Sequence, residues 1–393
     1  MIIDDTQFHR IKRLPPYVFE EVNALKAQLR GEGRDVIDFG MGNPDMPTPP
    51  HILEKVVETV WKPRASRYSA SRGVPGLRRS MARYYERRFG VKVDPDTEVI
   101  ATLGSKEGFA NLAQAITAPG DVILAPDPAY PIHAYGFIIA GGFIRAVPAP
   151  DPVAYLRGLE KAISSIKPAP TALVLNYPSN PTTHVVDLDY YKEVVALAKK
   201  FEVIVLSDMA YAEIYFDSPP PSILQVKGAK EIAVEVNSLS KTYAMAGFRV
   251  GMAVGNDRLI RALARVKSYL DYGAYTPIQV AAAAALDGPQ ECVDEIRAIY
   301  RARRDTLVEA FGRAGWDVPP PPASMFAWAP VPARYEHLGS VEFAKLLMRE
   351  ADVAVAPGVG FGEAGEGFVR IGLVENEQRI RQAARNIRRL LAS

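Results

Sequence analysis

The segment 238-SLSKTYAMAGFRVG-251 places one lysine, Lys241, among small and apolar residues, with Ser238 and Ser240 before it and Arg249 after it. Burial disfavours a charged lysine, so a lysine here suits a nucleophile or base working near neutral pH. The arginine offers a fork of donors matched to phosphate or carboxylate. Four more apolar runs end in residues with chemical potential. VIATLG (99–104) leads into Ser105 and Lys106, DVILAP (121–126) into Tyr130, TALVLNYP (171–178) into Asn180, and VIVLS (203–207) into Asp208 and Tyr211. Each has an ordinary explanation when taken alone. Ser105 can be a helix N-cap, Tyr130 a turn filler, Asn180 a turn residue between prolines, and Asp208 a cap.

The elements that must position these residues are legible from periodicity. The four runs, together with IAVEVNSLS (232–240) and FRVGMAVG (248–255), read as short buried strands rich in Val, Ile and Leu. Between them, helical spacing aligns Phe109, Leu112, Ala113 and Ile116, then Tyr190, Val194, Leu197 and Ala198, then Ile260, Leu263, Val266 and Leu270. This alternation predicts an α/β fold, with a mostly parallel mixed sheet between helices. Ligands of such sheets bind beyond the carboxyl ends of the strands, where the polar residues collect. Past Pro289 the texture changes to a long charged helix, a PPPPAS break, and short strands mixed with helices, which predicts a smaller α+β domain. The expected division is a large domain over 46–288 and a small domain built from 1–45 with 289–393. In the last helix Ile380, Ala384, Ile387 and Leu391 form the stripe for burial and the arginines form a solvated face.

Composition narrows the partners. With 47 Lys+Arg against 45 Asp+Glu among 393 residues, the net charge of +2 gives no support to nucleic acid or a membrane surface as the partner. Cys292 is the sole cysteine, which excludes an internal disulfide and a thiolate metal cluster. The five histidines show no metal-type pairing, and His133 and His184 read as structural or exposed. No apolar run reaches the ~20 residues a membrane helix needs, and the N-terminus lacks a signal core, so a cytoplasmic protein is expected.

Taken together, the strand ends supply a helix-start anion site, a stacking ring, a rigid amide, a buried acid beside a phenol, and a lysine with an arginine. A flat, phosphorylated, aldehyde-bearing pyridine satisfies all of them. Pyridoxal 5′-phosphate (PLP) bonds to a lysine amine, and its ring nitrogen wants an acidic partner. PGVGFGEAG (357–365) lacks the dinucleotide spacing, so a Rossmann reading is rejected.

From LPPY at Leu14 to the final helix, the chain resembles the class I/II aminotransferases, PLP enzymes of fold type I. SLSKTYAMAGFRVG matches that family's lysine motif. The resemblance implies that Lys241 bonds the cofactor aldehyde and later acts as general base. It gives Asp208 the ring nitrogen, Tyr211 and Asn180 the ring hydroxyl oxygen, and Tyr130 the ring face. Arg249, Ser238, Ser240 and the N–H groups of Ser105 and Lys106 take the phosphate. Arg370, in FVRIGL, takes the substrate α-carboxylate, and Gly42, in GMGNPD, closes over the same end. Tyr68 reaches the phosphate of a neighbouring subunit, which implies a homodimer with shared sites.

Two positions depart from the common family pattern: Thr183 stands where many relatives have glycine, and Tyr130 where many have tryptophan. The runs RLPPYVF, DFGMGNPD, YSASRGVPGLR and DYGAYTPIQVAA look most like the bacterial glutamate–pyruvate (alanine) aminotransferases. The implied reaction exchanges the amino group between alanine and 2-oxoglutarate. The LL-diaminopimelate aminotransferases, which share LPPY and YPIH, are the alternative within the family. A β-lyase or decarboxylase of the same fold would keep the cofactor and change the chemistry. A DNA-binding regulator with an aminotransferase-like half is the non-enzymatic reading, and family-like sequence from Leu14 argues against it. Arg72, four positions beyond Tyr68, is an expected partner for a distal substrate carboxylate, with a local surface ion pair as the other reading. Tyr17 is an expected lid residue.

Overall fold

The computed structural model describes residues 8, 10–15 and 18–392. Among them are twelve strands: β1 (Ile37–Asp38), β2 (Val99–Thr102), β3 (Val122–Asp127), β4 (Phe143–Pro148), β5 (Ala172–Asn176), β6 (Ile204–Asp208), β7 (Ala233–Ser238), β8 (Gly251–Gly255), β9 (Phe326–Pro330), β10 (Val353–Ala354), β11 (Ala356–Pro357) and β12 (Phe368–Gly372). Seven form one sheet in the order β2-β8-β7-β6-β5-β3-β4. β8 runs antiparallel to both its neighbours and the other pairings are parallel. Helices cover both faces, so β5 and β7 are buried along their whole lengths, as their continuous apolar runs require.

β4 was not anticipated. It is the edge strand, and Phe143, Arg145 and Ala146 are exposed, so it lacks the apolar continuity that marks its buried neighbours. FRVGMAVG does not begin a strand at Phe248. Arg249 takes a left-handed conformation, φ 55°, and the ladder starts two residues later at Gly251. VAVAP divides in two: β10 pairs with β1, and β11 pairs with β12.

A smaller domain is built around the sheet β11-β12-β9. Its core joins Ile37 and Phe39 to residues between Ile296 and Ile387, including Phe311, Trp316, Phe343 and Ile371. The helix Glu291–Arg313 packs Val293 in the large core and Ile296, Tyr300, Leu307 and Phe311 in the small one. In the last helix Ile380, Ala384 and Ile387 are buried and Leu391 packs at the margin of the core. Among the described residues no helix is long and apolar enough to cross a membrane.

Candidate active site

Register brings the strand-end residues into one rim. Asn176 of β5 pairs with Asp208 of β6, and Asp208 pairs with Val236 of β7. Gly251 pairs with both Thr102 and Ser238, so the carboxyl ends of β2 and β7 meet the start of β8. A cavity of about 470 Å³ opens at this rim. It is lined by Ser105, Lys106, Tyr130, Asn180, Asp208, Tyr211, Ser238, Ser240, Lys241 and Arg249, with Gly42 and Arg370 on the small-domain side.

Lys241 sits on a short helix, Leu239–Thr242, which Ser238 caps by accepting from the Ser240 N–H at 3.2 Å. Its Nζ donates to the Gly42 carbonyl at 2.5 Å. Burial, then the neighbouring guanidinium groups of Arg370 and Arg249, pushes the ammonium down to about 8. That range lets the nitrogen exchange a proton near neutral pH.

Asp208 is buried at the end of β6. Its Oδ1 accepts from the Ala210 N–H at 3.0 Å, and its Oδ2 faces His133 Nε2 at 2.9 Å. His133 is fully buried, between the rings of Phe109 and Tyr130, and its Nδ1 has no hydrogen-bond partner among the described residues. The contact lets the ring donate from Nε2 to the carboxylate. Sequence reasoning missed this partner. Its signal was a histidine three positions after Tyr130, at the start of the helix Ile132–Ala140.

Arg370, on β12, reaches across to the large domain. Its Nη1 donates to Asn180 Oδ1 at 2.8 Å and its Nη2 to the Gly40 carbonyl at 3.2 Å. Its guanidinium lies 4.0 Å from the ring centre of Phe326 and 4.6 Å from that of Phe361. Asn180 turns its Nδ2 to the Tyr211 hydroxyl at 3.3 Å, so one amide joins the guanidinium to the phenol. Burial holds the Tyr211 hydroxyl well above the usual phenol range, and Arg370 opposes the shift. The loop of Asn180 keeps its turn despite Thr183, which takes φ 64°, a left-handed value that glycine adopts freely.

At the other end of the cavity, Arg249 donates from Nη1 to the Ala246 carbonyl at 2.9 Å and from Nη2 to that of Leu103 at 3.0 Å. Its guanidinium lies over Gly104, where a Cβ would collide with Nη2. A Cβ at Gly251 would meet the Ser105 nitrogen at 2.6 Å. Two glycines thus leave room around the first turn of the helix Ser105–Ile116, whose dipole favours an anion.

Two expected residues lie elsewhere. Tyr68 is 86% exposed, with its ring 4.7 Å from that of Tyr272, and does not line the cavity of its own chain. Arg72 is also outside that cavity, and its Nη2 donates to the Asp96 carbonyl at 2.6 Å. Tyr17 lies outside the described residues.

A partly buried lysine, a buried acid, an amide-linked phenol and guanidinium, and a glycine-lined helix start together fit a PLP-type donor set. The family model for aminotransferase class I and II matches residues 34–387, and the chain belongs to that family. It is an aminotransferase, and the enzymes of this class use pyridoxal phosphate. The chain is 63% identical to a putative aminotransferase, AatC, of Rhizobium meliloti, over 98% of this chain and 96% of that one. It is 51% identical to the glutamate-pyruvate aminotransferase AlaC of Escherichia coli, over 98% and 93%. Substrate-bound BacF from Bacillus subtilis superposes with a TM-score of 0.91 at 32% identity, covering 99% of this chain and 98% of that one.

Proposed function

We propose that this aminotransferase is a homodimeric cytoplasmic enzyme that exchanges the amino group between alanine and 2-oxoglutarate. The observation that carries this reading is the charge of the cavity. Among the described residues Lys26, Lys106, Lys241, Arg249 and Arg370 line it, with Asp38 and Asp208 as the acids. Both acids are engaged: Asp38 receives Lys26 at 2.8 Å, and Asp208 faces His133. A surplus of cations suits a cofactor phosphate plus a substrate with two carboxylates. A substrate with a distal ammonium, such as diaminopimelate, would find no unengaged acid among the described lining residues. The likeness to a glutamate-pyruvate aminotransferase supports the same choice.

When bound, PLP supplies the aldehyde that captures the amino group and the ring that withdraws electrons from the substrate α-carbon. Lys241 Nζ would hold that aldehyde and would serve as the base for the proton at the α-carbon. Asp208, oriented by His133 and the Ala210 N–H, keeps a proton on the ring nitrogen. Tyr211 and Asn180 Nδ2 would donate to the ring hydroxyl oxygen, and Tyr130 would cover a ring face. Arg249, Ser238, Ser240 and the N–H groups of Ser105 and Lys106 hold the phosphate. Arg370, set by Asn180 and the Gly40 carbonyl, receives the α-carboxylate, and Gly42 closes the same end. Tyr68 serves the neighbouring subunit, which accords with its exposure in the single chain. The two cores support a large domain of 46–288 and a small domain of 1–45 with 289–393.

A panel of amino donors against pyruvate and 2-oxoglutarate tests the substrate choice, with alanine and glutamate expected as the best donors. Incubated with alanine alone, the loaded enzyme should release one equivalent of pyruvate. Continuous ammonia release would identify a lyase instead.

A further inference from the structure

Lys267 has no place in the chemistry above, yet it is a fully buried lysine in the last turn of the helix Asp257–Leu270. Its Nζ donates to Glu107 Oε1 at 2.8 Å and to Asp271 Oδ2 at 2.9 Å. A buried cation is retained only where partners compensate it, and an apolar side chain would fill the space at less desolvation cost. What the charge does is visible in the two acids it holds.

Glu107 stands in the first turn of the helix Ser105–Ile116. Its Oε2 accepts from the Leu103 N–H at 2.8 Å. The Leu103 carbonyl in turn accepts from Arg249 Nη2 at 3.0 Å. The peptide groups on either side of Leu103 are therefore both held by side chains, just before Gly104 turns the chain into the helix. On the other side, Asp271 Oδ1 accepts from the Gly273 N–H at 2.6 Å and the Asp271 carbonyl from Ser71 Oγ at 2.5 Å. This turn joins the segments that carry the exposed pair Tyr68 and Tyr272.

We propose that Lys267 is a positioning residue for the phosphate-binding turn. It orients Glu107, which fixes Leu103 and through it the Arg249 guanidinium, and its bond to Asp271 anchors the same turn to the segment bearing Tyr68. The inference rests on the PLP reading, in which Arg249 and the start of the helix Ser105–Ile116 face the phosphate. It implies that Lys267 matters to ligands that carry a phosphate and not to the rest of the cofactor.

The test compares PLP with pyridoxal, which has the aldehyde and ring but no phosphate. Binding of each to the apoenzyme is titrated by the absorbance of the lysine-bound form, in the wild type and in Lys267→Met. The expected result is a Kd for PLP raised about tenfold, the size of one charged hydrogen bond, with the Kd for pyridoxal within about twofold of wild type. Equal weakening of both ligands, or no change in either, overturns the proposal and leaves Lys267 a packing residue. If Lys267→Met does not fold, Glu107→Gln is titrated the same way, with the same selectivity for PLP expected and equal changes again overturning it. A wild-type chain that binds neither compound overturns the cofactor reading itself, a result reached before any variant is made.

Discussion

The two glycines of GMGNPD, Gly40 and Gly42, make a matched pair for testing the geometry at the small-domain end of the cavity. A Cβ built on Gly42 would lie 2.7 Å from Phe326 Cζ and 2.9 Å from its Cε1. To reach an ordinary separation, the ring or the loop must retreat by about 0.7 Å. The ring has little freedom. It is buried, with the Arg370 guanidinium 4.0 Å over its face and Tyr211 edge-on at 5.6 Å. A retreating ring disturbs the guanidinium or the phenol, and a retreating loop breaks the bond from Lys241 to the Gly42 carbonyl. Overpacking of this kind costs about 1–3 kcal/mol, and a displacement near 1 Å at a reacting centre can cost about a hundredfold in rate. At Gly40 the added Cβ meets nothing closer than Asp38 Oδ1 at 3.3 Å, a side-chain atom that can shift by a few tenths of an ångström. Gly42→Ala should therefore lower kcat/KM for alanine by about ten- to a hundredfold, and Gly40→Ala by less than about threefold. The assay is steady-state transamination with 2-oxoglutarate, alongside thermal melts of both variants. Near-wild-type kinetics in Gly42→Ala, or equal losses at the two positions, would refute the close-approach argument.

Arg370→Met should weaken every amino and 2-oxo acid alike, by about ten- to a hundredfold, because in the proposed site the guanidinium it removes receives the carboxylate they share. The same variant removes a cation beside Lys241, so the amine, now held at about 8, should titrate higher in the apoenzyme. The pH dependence of Lys241 acylation measures this, and an unchanged or lower value would count against the like-charge account. Burial raises the Glu235 carboxyl to about 7, above its ordinary 4.5, against donors that include Ser222 and Tyr85. Its stabilising contribution is complete below the unfolded value and is lost as pH rises through 7. Glu235→Gln stays neutral, so it should gain on wild type between about pH 5 and pH 9 by at most about 3 kcal/mol in urea melts; parallel profiles would rule this out. Lys106 forms no ion pair among the described residues, whereas Arg72 is tied to the Asp96 carbonyl. Lys106→Met should raise KM for glutamate and 2-oxoglutarate more than for alanine and pyruvate, with Arg72→Ala affecting both pairs equally. The opposite pattern would return the distal carboxylate to Arg72.

The residues that gather at the candidate site were legible in the chain because each is set by residue type near a strand end. A lone lysine among small residues, an acid after a buried strand, and an amide between prolines each carry their meaning locally. The buried strands were legible for the same reason, since burial on both faces demands an unbroken apolar run. The edge strand β4 was not, because one exposed edge relaxes that demand. Only the tertiary structure set His133 against Asp208 and Arg370 against Asn180, pairings that join residues 75 and 190 positions apart. It also turned Lys267 from one more helix residue into the fully buried link between Glu107 and Asp271. Tyr68 shows the same division: its type was readable, but its 86% exposure followed only from packing. Side-chain identity and local periodicity are properties of neighbours in the chain. Hydrogen-bond partners and desolvation are properties of neighbours in space, and those exist only once the sheet register and the docking of the small domain have brought distant segments together.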